Sequence, residues 1–221
     1  MPGAGRFITA CGQGAGRGEG GVAVEGRWGF NTHFGTWGSA TVMARHTLPY
    51  NLRVRGGVRY TSFPAAGADL RPAWFHEFGC GRLVVEGTVS WMRQSRTDNI
   101  CAGIGAGMEL RRWWFMAGWY HRTISAAGYS HTLSEPANLL YDVGVRVLAP
   151  ESRWNILASL SNSSLLAVER AYQPTLAVRG LWYPGSRTGL WLEAAYKPAG
   201  LFNLSHNYYQ SSLNIGFEYS W

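Results

Sequence analysis

Large apolar side chains recur at every second position through most of this sequence. The C-terminus shows the pattern most clearly, because small or polar residues separate the apolar ones: Leu213, Ile215, Phe217, Tyr219 and Trp221. Residues 50–62 repeat it, with three arginines, Arg53, Arg55 and Arg59, on one parity and apolar residues on the other. Successive side chains of a β-strand point to opposite faces, so this period predicts strands with one uncharged face.

Turn residues divide the chain into about twelve such strands, and boundary uncertainty allows ten to fourteen. The predicted strands are 21–31, 38–48, 50–62, 72–79, 81–92, 99–110, 112–123, 138–148, 153–162, 173–183, 188–197 and 210–221. We predict an all-β fold, a closed antiparallel up-and-down transmembrane β-barrel over residues 21–221. The glycine-rich segment 1–20 is predicted to be disordered or periplasmic.

The predicted connections alternate between two kinds, as in bacterial outer-membrane barrels. Tight turns are expected at 48–50, 79–81, 110–112, 149–152 and 184–187. Longer loops are expected at 32–37, 63–71, 93–98, 124–137, 163–172 and 198–209.

Charge placement separates a membrane barrel from a soluble one. The charged residues fall on the face opposite the large apolar side chains: Glu25, Arg27, Arg45, Arg53, Arg55, Arg59, Arg82, Glu86, Glu109, Arg122, Asp142, Arg146, Arg179, Glu193, Lys197 and Glu218. A membrane barrel must turn this face to the lumen. A soluble β-barrel or sandwich that binds a ligand, which stays an alternative, would turn it to water.

Aromatic residues recur near the predicted strand ends, where membrane barrels carry girdles at the headgroup level. They are Trp37, Tyr50, Tyr60, Trp74, Trp91, Trp113, Trp119, Trp154, Trp182, Tyr196, Tyr209 and Trp221.

Twelve strands lie between small barrels filled by side chains and large barrels with open channels. With 19 Arg and one Lys in a chain of net charge +7, interleaved Arg and Glu predict either a closed, salt-bridged lumen or a narrow pore that favours anions. The arginines at 53, 55 and 59 are the best solute-binding candidates. Six further lumen residues join them: Arg27, Arg146, Arg179, Glu86, Glu109 and Glu193.

We therefore predict a non-enzymatic role, as a narrow channel or as an accessory barrel in an envelope complex. The alternative is an outer-membrane lipid hydrolase, which needs a nucleophile beside a histidine base. Two predicted loops offer such parts: Ser130 and His131 with Ser134 and Glu135, and Ser205 with His206 and Asn207.

Several other classes are not expected. Nucleic-acid binding is disfavoured because Arg and the large aromatic residues lie on opposite strand faces. The cysteines, Cys11, Cys80 and Cys101, lack metal-site spacing, and no cofactor is predicted. A disulfide between Cys80 and Cys101 is open only if the fold brings them together. Neither a long apolar run nor an export signal is visible in this chain.

The C-terminal segment, residues 213–221, resembles the signal that Gram-negative outer-membrane β-barrels present to the barrel-assembly machinery. The resemblance rests on Phe217, Tyr219 and the terminal Trp221, and a terminal Trp is a less common variant of the usual terminal Phe. The resemblance implies a bacterial outer-membrane location. It also implies outer-membrane lipids, the assembly machinery and other envelope proteins as partners.

Overall fold

The computed structural model describes residues 20–32, 35–62, 65–94, 96–126, 132–148, 152–162, 174–198 and 209–221. Its strands are β1 (Gly20–Asn31), β2 (Gly35–Leu48), β3 (Leu52–Thr61), β4 (Ala65–Phe78), β5 (Gly81–Gln94), β6 (Thr97–Leu110), β7 (Trp113–Ala126), β8 (Leu133–Arg146), β9 (Trp154–Ser161), β10 (Thr175–Trp182), β11 (Thr188–Lys197) and β12 (Gln210–Ser220). Within these ranges, no helix is long and apolar enough to span a membrane.

The twelve strands form one closed barrel in which each strand is antiparallel to its neighbours in sequence. β1 closes the ring by pairing with β12, with Val24 opposite Phe217. The all-β, up-and-down barrel predicted from the alternation is confirmed. We call the end that holds Gly20 and Trp221 the turn end, and the opposite end the loop end.

Two strands, β4 and β8, begin five or more residues earlier than predicted, so two predicted loops are wrong. β4 starts at Ala65, so most of 63–71 is strand, and β8 starts at Leu133 within the predicted loop 124–137. Alternation is hard to read in β4 because it opens with small residues and contains Pro72. Proline lacks the backbone N–H that a ladder needs, and the β4–β5 register skips Arg71 and Pro72.

The connections at the loop end are also shorter than predicted in the first half of the chain. β1 and β2 are separated by 32–34, and β5 and β6 by 95–96, where longer loops at 32–37 and 93–98 were expected. Short turns and long loops therefore do not alternate along the whole chain. Most of the predicted loops 163–172 and 198–209 lies outside the described residues.

The barrel has its packed interior inside the ring and an exposed apolar outer wall. Large apolar side chains such as Val58, at 59% exposed, and Trp119, at 64% exposed, face outward. Of the strand residues whose side chains the structure describes, the charged ones on the outer wall are Arg93 and Asp98. These two are register partners at the loop end. The segregation of charge predicted from the sequence thus holds in three dimensions.

Candidate channel lumen

Every charged residue assigned to the inner face from the sequence lies on the inner wall. Most are buried, including Glu25, Arg55, Glu109, Asp142 and Arg179. The inner wall also carries Asp69 and Arg71. Sequence reasoning missed both because it placed them in a loop. Basic side chains outnumber acidic ones on this wall.

Ion pairs join several of these side chains, some across neighbouring strands and some within one strand. Arg82 and Glu109 are register partners on β5 and β6, with Nη2 of Arg82 2.6 Å from Oε2 of Glu109. Arg179 and Glu193 pair in the same way between β10 and β11. Arg27 lies 3.4 Å from Glu25 on its own strand. The lumen is therefore partly neutralised from within.

The basic row predicted along β3 faces the lumen, but its members have different surroundings. Arg53 lies over the ring of Phe75, at 5.4 Å from its centroid. Arg59 donates a hydrogen bond from Nε to Oγ1 of Thr41 at 2.9 Å. Arg55 lies between them along β3. Arg55 also belongs to a second row of arginines, which runs across neighbouring strands.

A hydrophobic cluster fills part of the inner wall towards the turn end, which the sequence analysis did not foresee. Its buried members are Met43, Trp114, Met116, Leu157, Leu181, Tyr183 and Trp191. The Trp114 indole donates a hydrogen bond to Oδ1 of Asp142 at 3.0 Å. Only the two-residue period of the sequence could have placed the two buried tryptophans, Trp114 and Trp191, on the inner wall. Each lies an even number of positions from an inward-facing charged residue of its own strand.

Inward tryptophans lie against glycines of the neighbouring strand. Trp114 is opposite Gly144, and Trp37 is opposite Gly29. In both pairs the indole occupies the space of a side chain on the glycine. The assignment of Trp37 to the outer aromatic girdle is therefore wrong, since its ring lies on the lumen side.

The lumen differs in width along its length. Towards the loop end, the inner face of β9–β12 carries small side chains, including Ser159, Ala177, Ala195 and Ser212. Towards the turn end, the void between Arg55 and Trp191 is about 20 Å³. That volume holds little more than one water molecule. Bulky buried side chains, including Met43, Trp114 and Trp191, line the lumen towards the turn end and narrow it, so we call this level the constriction.

The candidate catalytic residues are not assembled in the part of the chain that the structure describes. Ser130, His131, Ser205 and His206 lie outside it. Ser134 lies in β8 and not in a loop, and its Oγ is 3.0 Å from Nε2 of His121 on the outer wall. The side chain of Glu135 is not described.

The described residues form neither a metal site nor a disulfide. Throughout the described ranges, no three His, Cys, Asp or Glu side chains cluster as metal ligands. Cys80 lies in the β4–β5 turn and Cys101 is buried in β6, so no disulfide joins them.

The C-terminal strand closes the barrel. Phe217 and Tyr219 point outward, and the backbone N–H of Trp221 donates to the carbonyl of Gly20 at 3.1 Å. The assembly signal formed by these three aromatic residues stays a prediction.

Comparison with solved structures shows the fold. The translocator domain of autotransporter NalP from Neisseria meningitidis matches with a TM-score of 0.59 and 11% identity, over 92% of this chain and 88% of that one. KdgM porin in complex with disordered oligogalacturonate matches with a TM-score of 0.56 and 11% identity, over 90% of this chain and 99% of that one. These neighbours are Gram-negative outer-membrane β-barrels, and this chain has the same fold. No family model and no curated protein matches the sequence.

Proposed function

We propose that this protein resides in a bacterial outer membrane and acts as a narrow, passive channel for small anionic solutes. One observation carries the proposal: among the described strand residues, the charged side chains other than Arg93 and Asp98 at the loop end lie on the inner wall, with a basic surplus, while the outer wall between the rims is apolar. The role needs no catalytic step and no cofactor.

The outer wall supports the membrane location. A soluble protein rarely exposes a continuous apolar surface of this extent, whereas a barrel in lipid requires one. Outward aromatic residues lie near both ends of the wall, for example Trp113 and Trp154 at the turn end and Tyr60 and Tyr196 at the loop end. Outer-membrane lipids are therefore the proposed surroundings. The barrel-assembly machinery is the proposed partner during biogenesis, read from the C-terminal aromatic residues.

The inner wall supports the anion preference. Fixed positive charge in a narrow, low-dielectric passage attracts anions and repels cations. The small side chains on the inner face at the loop end leave solutes an entrance, and the bulky side chains near Arg55 and Trp191 limit their size. KdgM, which shares this fold, is a porin. For this chain, however, the proposal rests on its own lumen.

Liposome swelling tests the proposal directly. Liposomes containing the refolded protein should swell faster in small monovalent organic anions, such as acetate salts, than in neutral sugars of larger size. Swelling should slow when Arg27 and Arg59 are both replaced by Gln. The matched control is Arg112→Gln with Arg187→Gln, which removes the same charge from exposed turns.

A folded barrel that admits no solute would refute the channel. It would favour the accessory role in an envelope complex, whose partners would then be sought by cross-linking. Equal rates for acetate and for cations of the same size would refute the anion preference alone.

A further inference from the structure

Three arginines stand side by side across three strands of the inner wall. Arg45 of β2 is the register partner of Arg55 in β3, and Arg55 is the partner of Arg71 in β4. Like charges directly opposite each other in a sheet destabilise it. The row therefore has to be compensated by negative charge.

The two outer arginines of the row have carboxylate partners. Nη2 of Arg45 is 2.8 Å from Oε1 of Glu218, a contact it reaches across Gly21 on β1. Nε of Arg71 is 3.1 Å from Oδ2 of Asp69. Each of these arginines is thus neutralised by an acidic residue.

The central arginine has no such partner. Arg55 is 7% exposed, and neither Nη1 nor Nη2 has a hydrogen-bond partner among the described residues. A buried guanidinium whose two terminal nitrogens lack hydrogen bonds is costly. A sequence that keeps it there implies that something outside the protein satisfies it.

A void lies beside this side chain. The about 20 Å³ cavity is lined by Arg55, Arg45, Met43, Trp191 and Glu218, together with small residues of β1 and β2. It has room for one water-sized or halide-sized species. The carboxylate of Glu218 on its wall disfavours multiply charged anions, and the apolar side of Met43 and Trp191 offers a weakly hydrated surface.

We propose that Arg55, with Arg45 beside it, forms a binding site for one small monovalent anion of about the size of chloride. The inference deepens the proposed function, because it names the class of anion held at the constriction. The anionic group is either an inorganic halide or the carboxylate end of an organic solute. The two sources share the same charge-assisted hydrogen bonds to the guanidinium.

Anion binding can be measured without any current. The full chain, refolded in detergent, is titrated with sodium chloride at constant ionic strength, with ³⁵Cl line broadening as the readout. Acetate is the competing arm: displacement of chloride by acetate shows that the site accepts a carboxylate, and no displacement restricts it to halides. Both results presuppose a saturable chloride signal.

The key variant is Arg55→Gln, which should weaken chloride binding about tenfold or more, because it removes the charged donor. Arg112→Gln, a loss of the same charge at an exposed turn, should leave binding unchanged. If Arg55→Gln does not fold, Arg55→Lys keeps the charge but loses the bidentate fork, and should weaken binding by a smaller factor.

The proposal is overturned if the wild type shows no saturable broadening. It is also overturned if the Arg55 variant that folds binds chloride like the wild type, or if Arg112→Gln weakens binding equally. Binding without any solute uptake would refute the channel and leave the site intact. Uptake without binding would refute the site alone.

Discussion

The indole of Trp191 in β11 occupies the space directly above Gly216, its register partner in β12. A Cβ on Gly216 would collide with the ring, so only glycine lets the tryptophan lie against the wall. The pair sets how far Trp191 reaches into the lumen. It therefore links the packing of the wall to the width of the constriction.

Gly216→Ala is expected to destabilise the barrel by about 1–3 kcal/mol, the usual cost of overpacking a filled site. Gly180→Ala in β10, on the other side of β11, is the control, because a Cβ there meets only Leu192 O, at 3.9 Å. Urea unfolding of the refolded proteins measures the difference. Equal stability of the two variants would show that Trp191 does not depend on the glycine.

The constriction predicts a conductance effect. Trp191→Leu shortens a side chain that lines the void beside Arg55, so single-channel conductance should rise. Trp182→Leu, which changes an outward-facing tryptophan of β10, should leave conductance unchanged. Unaltered conductance in Trp191→Leu would place the narrowest level of the lumen elsewhere.

We expect the effects of replacing Arg82 and Glu109 on the free energy of unfolding to be strongly coupled. Both side chains are buried, so removing either partner leaves an uncompensated charge, and Arg82→Ala or Glu109→Ala should each cost about 3–5 kcal/mol. The double variant should be clearly less destabilised than the sum of the two. A double-mutant cycle from equilibrium unfolding gives the coupling energy. Strict additivity would mean that the pair contributes nothing.

Val58 tests whether the outer wall faces lipid. Val58→Arg should cost about 2–4 kcal/mol in a bilayer, because Val58 lies three residues inside the loop end of β3 and opposite Val42, near the middle of β2. Tyr60→Arg, next to the loop end of the same strand, should cost about 0–1 kcal/mol. In a soluble barrel both exposed positions would tolerate arginine equally. Folding yields in lipid vesicles distinguish these outcomes.

Much of the fold follows from the alternation of residues. Each predicted strand overlaps the observed one, because burial of one face specifies parity strongly. The strand that was predicted least accurately is β4, because its small residues from Ala65 onward and Pro72 obscure the two-residue period. Asp69 and Arg71 were lost from the predicted lumen for this reason.

The constriction was harder to predict from the sequence than the strands were. The row formed by Arg45, Arg55 and Arg71 depends on the register of three strands, which one strand's pattern does not encode. The sequence analysis assigned neither Trp114 nor Trp191 to a face, because an aromatic residue near a strand end suits either one. Only parity against the inward charges distinguishes them.

Reversal potential across a salt gradient tests the central claim most directly. Single channels of the refolded protein in a planar bilayer, with unequal KCl on the two sides, should show discrete openings and a reversal potential displaced towards that of chloride. The displacement should shrink when Arg27 and Arg59 are neutralised and persist in the variant with Arg112 and Arg187 neutralised. A folded, inserted barrel that passes no current, or one that reverses near the potassium potential, would contradict the account.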